Sequence, residues 1–172
     1  MSAMRGKIAA AAVTLAILAA TYGLFLVYFS HGGKETPKAG DGLLDLTAWR
    51  FADDGVLPLN GEWTFYPNRL LGPEDVAFAA AEEGAPERID VPGSWADHMP
   101  TLGTATYRLR LKIDDPTLVY GLKTSSIQLS NRIFVNGQAV GQSGIPAERE
   151  RYEAVNRPYA AFSTLKTGWN DI

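Results

Sequence analysis

Residues Ile8 to Phe29 form 22 consecutive residues without a charge, and this run limits what the chain can fold into more than any other feature. A helix of that length, rising 1.5 Å per residue, reaches about 33 Å, against roughly 30 Å of bilayer hydrocarbon. IAAAAVTLAILAATYGLFLVYF is therefore long enough to cross a membrane once. Arg5 and Lys7 precede it, and no acid occurs before Glu35. This asymmetry predicts an N-terminus kept in the cytoplasm and everything after the run exported. A cleaved signal peptide is the competing reading. Its apolar region would run to about 7–15 residues, and the best small-residue site here, Leu18-Ala19-Ala20, falls inside the run. We adopt the uncleaved signal anchor: a single-pass protein of the cell membrane with its folded part outside. A buried core helix is the third reading.

The remainder, Ser30 to Ile172, carries all 10 prolines, all 4 tryptophans and all 19 acids, with 14 Lys and Arg for a net charge of −5. No second apolar run follows, which excludes a multi-pass channel. An acidic folded part also argues against a nucleic-acid partner. The chain has no cysteine, which excludes disulfides, thiol nucleophiles and Cys-ligated metal sites. A domain of roughly 130 residues can still bury enough apolar surface to stand on its core alone.

Turn formers and periodicity divide the chain. Residues 1–7 form a cytoplasmic head, 8–29 the membrane span, 30–42 (SHGGKETPKAGDG) a flexible tether rich in glycine, and 43–172 one folded domain. Within that domain the apolar pattern mostly has period two. Glu62–Tyr66 is expected as a strand with Trp63 and Phe65 on one face and Glu62, Thr64 and Tyr66 on the other. Thr104–Ile113 is the clearest strand. Ala105, Tyr107, Leu109, Leu111 and Ile113 alternate with Thr106, Arg108, Arg110 and Lys112, giving one buried and one wet, basic face. Leu118–Lys123 and Ile127–Val135 read as further strands. Asn136-Gly137 supplies the two positive φ angles of a type I′ turn and predicts a hairpin. One helix is expected at Pro73–Glu83, with Pro73 at its first position and Glu74 and Asp75 complementing its dipole. Many short strands with one helix point to an antiparallel sandwich.

Four segments in order, LNGEWTFY at Leu59–Tyr66, IDVPGSW at Ile89–Trp95, GTATYRLRLK at Gly103–Lys112 and RIFVNGQAVG at Arg132–Gly141, resemble the N-terminal sugar-binding jelly roll of glycoside hydrolase family 2. That domain belongs to the galactose-binding-like superfamily, and the resemblance covers nearly everything from Leu43 onward. It implies an all-β, antiparallel jelly-roll β-sandwich preceded by one transmembrane helix. A closer resemblance rests on Trp49, Phe51, Gly55, Leu59, Gly61, Glu62, Trp63, Phe65, Tyr66, Leu70, Leu71, Pro73, Glu74 and Asp75. This run is similar to the extracellular input domain of bacterial sensor receptors. In that family a signal anchor and jelly roll are followed by seven transmembrane helices and an intracellular module, often a histidine kinase of a two-component system. The resemblance implies a non-catalytic ligand-sensing domain with a carbohydrate or other small molecule as ligand, the membrane as a partner, and a receptor homodimer. Against that family Leu165–Ile172 (LKTGWNDI) opens the last strand, so the chain is expected to be a fragment. A sugar-binding accessory domain of a family 2 glycosidase, or a membrane-anchored surface binding module, remains the alternative.

No catalytic constellation is legible. Glycoside hydrolysis needs two carboxylates flanking the sugar, about 5–10 Å apart, and Asp53-Asp54 and Asp114-Asp115 read as solvated turns. There is no G-x-S-x-G, P-loop or H-E-x-x-H motif, and two histidines, His31 and His98, cannot build a His-rich metal site. No enzyme activity, cofactor or metal is expected; Asp97 and Asp41 could serve a structural calcium, but no spacing requires one. Sugar binding needs an aromatic platform and a few planar hydrogen-bonding groups. Loop positions supply Trp95, Asp97, His98, Tyr152, Asn156, Arg157 and Tyr159 as ligand-binding candidates, alongside solvated-loop readings for His98 and for the polar loop Ser143–Pro158. Trp63 and Trp169 read as core, and Arg108, Arg110 and Lys112 as the wet face of a strand.

Overall fold

A computed structural model describes residues 2–30, 34–75, 86–100, 102–125, 127–147 and 149–172. Beyond Asp75, the helix expected at Pro73–Glu83 lies outside the described residues, as do His31 and Glu148. The chain divides into two compact units, Met1–Glu35 and Thr36–Ile172. The first is the helix α1 (Ser2–Ser30). Its stretch Met4–Val27 is long and apolar enough to cross a membrane. A signal sequence has the same appearance, so the helix by itself fixes no topology. Thr14 and Thr21 return their hydroxyls to helix carbonyls one turn back, at 3.0 Å to Ala10 and Ile17, which satisfies both threonine side chains within the helix.

The second unit is mostly β, built as several small sheets. Its elements are β1 (Leu43–Asp45), the one-turn helix α2 (Phe51–Asp54), β2 (Gly61–Pro67), β3 (Glu87–Val91), β4 (Ala105–Arg108), β5 (Arg110–Ile113), β6 (Val119–Lys123), β7 (Asn131–Val135), β8 (Gln138–Ser143), a 3₁₀ turn (Arg149–Arg151), β9 (Ala160–Thr164) and β10 (Gly168–Asp171). Pairing gives two three-stranded sheets, β1-β5-β10 and β3-β2-β4, and two ribbons, β6-β9 and β7-β8.

The strand expected at Thr104–Ile113 is present but serves two sheets. Its first part, β4, pairs antiparallel with β2; its second, β5, lies between β1 (parallel) and β10 (antiparallel). Leu109 sits at the handover, completely buried, and exchanges both backbone hydrogen bonds with Ile172 at 2.9 Å. The alternation persists through the switch. Leu44, Leu109, Leu111 and Ile113 join one core with Leu46, Trp49, Leu57 and Val135. A smaller core of Phe65, Ile89 and Met99 lies under β2, β3 and β4, and Trp63 packs against both. Fully burying a side chain such as Phe65 or Leu109 stabilises the fold by about 1.5–3 kcal/mol.

Three expectations are corrected. Tyr66, assigned to a wet face, is buried. The hydroxyl of its cross-strand partner Thr106 accepts from the Leu71 N–H and donates to the Arg69 carbonyl, which folds the Arg69–Leu71 loop against that side of the sheet. The strand expected from Ile127 begins only at Asn131, because Leu129 adopts φ 65° and breaks extended backbone. The far end of the expected tether is also ordered. Ala39 is buried, its N–H donates to Asn60 O and its carbonyl accepts from Glu62 N–H, while Gly42 N–H donates to Glu62 O. Gly61, at φ 116°, makes this approach possible: a Cβ there would overlap the Ala39 backbone.

The Asn136-Gly137 hairpin forms as expected, with φ 49° and 87°. Asn136 does more than turn the chain. Its side-chain Nδ2 donates to Asn170 Oδ1 (2.8 Å), its Oδ1 accepts from Asp171 N–H (3.0 Å), and its own N–H donates to Asp171 O (2.8 Å). Asn170 is fully buried and its amide is fully used, accepting also from Lys166 N–H and donating to the Lys166 and Gly168 carbonyls.

Asn170→Leu, which keeps the branched heavy-atom skeleton but orphans buried partners and adds bulk, is expected to lower unfolding free energy by at least about 1–3 kcal/mol. Gly61→Ala is expected to cost about 1–3 kcal/mol through overpacking. Urea unfolding of the full chain in detergent, followed by tryptophan fluorescence, measures both.

Candidate functional site

The seven ligand-binding candidates fall into separate groups. Trp95, Asp97 and His98 share one turn, in which the His98 and Met99 N–H groups both donate to Trp95 O, at 2.9 and 3.0 Å. The turn is anchored rather than free. Trp95 packs on the Phe65–Ile89–Met99 cluster. His98 Nδ1 lies 2.7 Å from Glu87 Oε2, and its ring meets Phe65 edge-on with centroids 5.6 Å apart. The solvated-loop reading of His98 is thus corrected: a neighbouring strand supplies a carboxylate that fixes the ring. Asp97 is exposed.

Tyr152, Asn156, Arg157 and Tyr159 belong to the Ser143–Pro158 segment and its exit. This loop is closed on itself by reciprocal backbone bonds between Ile145 and Glu153, at 2.9 and 3.1 Å. At its base the buried Ser143 hydroxyl donates to Val155 O (2.9 Å) and accepts from Arg157 N–H (3.1 Å). The result is a recess of about 300 Å³ lined by Gln142, Ser143, Gly144, Ile145, Glu153, Val155 and Arg157. The Gln142 amide is already committed to Arg132 Nε (2.8 Å) and Gly144 O (2.6 Å). The Glu153 carboxylate and Arg157 guanidinium are the charged side chains of the lining, an acceptor and a donor suited to hydroxyl groups.

Tyr152 and Asn156 are exposed and do not line this recess. Tyr159 serves the fold. Its hydroxyl donates to Asn131 Oδ1 (2.7 Å), its ring lies on Gly141, where a Cβ would collide, and its backbone exchanges hydrogen bonds with Thr124. Burial pushes the Tyr159 hydroxyl above the usual tyrosine range. Among the described residues, no hydrogen bond or ion pair joins the Trp95–His98 turn to the recess, and no aromatic ring lines the recess. Of the lining residues, only Arg157 was among the candidates; Gln142, Ser143, Gly144, Ile145, Glu153 and Val155 were not. The hairpin register, which sets Arg132 opposite Gln142, was the available signal.

Asp41 and Asp97, considered for calcium, are not part of a cation cage: Asp41 faces Arg88 at 3.5 Å. Among the described residues no three His, Asp or Glu converge as a metal site. Glu62 accepts from the Asp41 N–H at 3.1 Å, a structural use.

Electrostatic order is clearest on the wet face of sheet β1-β5-β10. Asp45 Oδ1 accepts from both the hydroxyl and N–H of Thr47 (2.6 and 3.0 Å), and its Oδ2 pairs with Lys112 Nζ at 3.2 Å. The Thr47 hydrogen bonds, helped by Lys112, hold its carboxyl down at about 2. Asp115 repeats the arrangement with Thr117, which lowers its pKa as well.

No family model matches the chain, and no curated protein matches it. Among solved structures it is similar to a GH2 beta-galacturonidase from Eisenbergiella tayi, with 18% sequence identity over 66% of this chain and a TM-score of 0.42. The chain spans 18% of that enzyme's length. The likeness is distant and assigns neither fold nor ligand to this chain.

Because the Asp45 pKa is lower folded than unfolded, its contribution to stability is complete above about pH 4 and fades as pH falls through about 2. Carbon-detected NMR titration is expected to place its midpoint near 2. Thr47→Val is expected to return it toward about 3.9.

Proposed function

We propose that this chain is the extracytoplasmic, non-catalytic binding module of a membrane-anchored signalling receptor. In this reading α1 is an uncleaved signal anchor with its N-terminus in the cytoplasm, and the β unit is a galactose-binding-like jelly roll. The observation that carries the proposal is the pairing of a helix long and apolar enough to cross a membrane with a separate β unit that has its own core. The basic head and acid-free first 34 residues support the orientation. The ordered LNGEW, VPGSW and VNG segments support the jelly-roll reading, and the run from Trp49 to Asp75 carries the resemblance to sensor receptors, with which a histidine-kinase output and a homodimer are proposed.

The ligand proposed for the Ser143–Arg157 recess is a neutral carbohydrate. Arg157 and Glu153 offer one donor group and one acceptor group at the rim of a polar recess, a pairing that matches vicinal hydroxyls. Binding would act on the receptor only through different affinities for its two states.

Calorimetric titration of the full chain in nanodiscs against a panel of neutral sugars is expected to show saturable binding that Arg157→Ala weakens by about tenfold or more. No binding across the panel would remove the carbohydrate reading and leave the anchor reading standing. The anchor has its own test: intact mass of the mature membrane protein should correspond to a start at Met1 or Ser2. A mature N-terminus near Thr21 would overturn it.

A further inference from the structure

We propose that the wet face of sheet β1-β5-β10 carries a second binding site, for a small carboxylate ligand, centred on Arg110 and bordered by Trp169. The site is separate in its residues from the Ser143–Arg157 recess and does not rest on the sugar reading of that recess.

Strand register brings four charged groups to this face, Arg110, Lys112, Asp45 and Asp171, and Arg108 at the end of β4 reaches it by its ion pair with Asp171. Arg110 is the cross-strand partner of Asp171 on one side and of Leu43 on the other; Lys112 is the partner of Trp169 and of Asp45. The opposite face, with Leu44, Leu111 and Asn170, is buried. The three cations of the stripe then meet different fates. Arg108 donates from Nε and Nη2 to Asp171 Oδ1, at 2.7 and 2.6 Å. Lys112 pairs with Asp45. Arg110, between them, has no carboxylate in ion-pair range among the described residues, and its Nε is shielded from solvent without a hydrogen-bond acceptor. The shielded Nε is closed to a ligand as it is to water, so the terminal Nη1 and Nη2 groups of the half-exposed Arg110 are the edge on which a carboxylate would dock.

Arg110 is also held in place. Its guanidinium carbon lies 5.1 Å from the Trp169 ring centroid, in cation–π range. A stacked guanidinium is pre-oriented, so docking a planar carboxylate on its fork loses little further side-chain freedom. The charge count selects the ligand class. Arg108, Arg110 and Lys112 against Asp45 and Asp171 leave one positive charge on the strands of this face, in a folded part whose sequence is otherwise acidic. A monoanion neutralises that single charge, whereas a phosphate dianion would leave charge uncompensated. Leu43, 39% exposed, and the half-buried Trp169 indole flank Arg110 and offer apolar surface to the ligand's carbon skeleton. The carboxylate could come from an acidic sugar or from a non-sugar acid, and both present the same group to Arg110.

The test titrates the full chain in nanodiscs, at constant ionic strength, with sodium glucuronate, benzoate, glucose and sulfate, by calorimetry and by the Trp169 indole resonance. Saturable binding of glucuronate or benzoate that shifts the Trp169 signal, with none for glucose, is the expected result. Glucuronate binding tighter than benzoate assigns the source to an acidic sugar, and the reverse order to a non-sugar acid. Arg110→Lys keeps the charge but loses the fork and should weaken binding by about tenfold; Arg110→Gln should abolish it. Lys123→Gln, which removes a cation on β6, should leave binding unchanged. Thermal melts confirm that each variant is folded, and Trp169→Phe provides a second variant that should weaken binding without altering charge. The proposal is overturned by no saturable carboxylate binding, by equal binding of glucose or sulfate, or by undiminished binding in a folded Arg110→Gln.

Discussion

The buried amide of Asn170 is the contact on which the β unit's arrangement depends. It is fully buried and every one of its hydrogen-bonding positions is used. Lys166 lies in the turn that feeds β10, Gly168 opens the strand, and the remaining partner is the side chain of Asn136 at the tip of the β7-β8 hairpin. An unsatisfied amide at this depth would cost about as much as a large share of a small domain's net stability. The hairpin tip thus adds its hydrogen bonds to the register that β10 makes with β5. Asn136 serves both purposes with one residue. Its tolerance of positive φ makes the turn, and its side chain and N–H bond the turn to β10.

Two close backbone approaches complete the frame. Leu109 hands one extended run from β2 to β1 and β10 while staying in the core, so a single alternating sequence supports two sheets. The Ala39–Gly42 segment runs between β2 and β5, reached from Glu62 on one side and from Arg110 N–H, which donates to Gly42 O, on the other. Only glycine at position 61 leaves room for it. The consequence for function is positional: these contacts fix Arg110, Lys112, Trp169 and Asp171 on one face of a sheet whose other face is core.

The candidate binding surfaces were partly legible in the sequence. The polar loop Ser143–Pro158 was visible by length and composition, and Arg157 does line a recess at its base. Tyr159, chosen as an aromatic platform, has its hydroxyl bonded to Asn131 and its ring on Gly141. The sequence marks a tyrosine near a loop; it does not show which strand will lie beneath the ring. His98 was similarly opaque, because Glu87 lies 11 residues earlier and meets it only through the turn geometry. The stripe Arg108, Arg110, Lys112 was legible as a wet face, but nothing in a period-two pattern distinguishes paired cations from the one left over.

Local chemistry alone determined several features of this protein. A charge-free run set the apolar span within α1, Asn136-Gly137 set the hairpin, and alternation set which residues of the long strand face the core. These follow from backbone geometry and solvent affinity, which act over a few neighbouring residues. Tertiary structure decided the rest: that Tyr66 is covered, that Ala39 joins a sheet, that Leu109 changes partners, and that Arg110 rather than Arg108 lacks a carboxylate. Each depends on a group tens of residues away, such as Thr106, Gly61, Ile172 or Asp171, whose approach is fixed by packing and register rather than by any local preference.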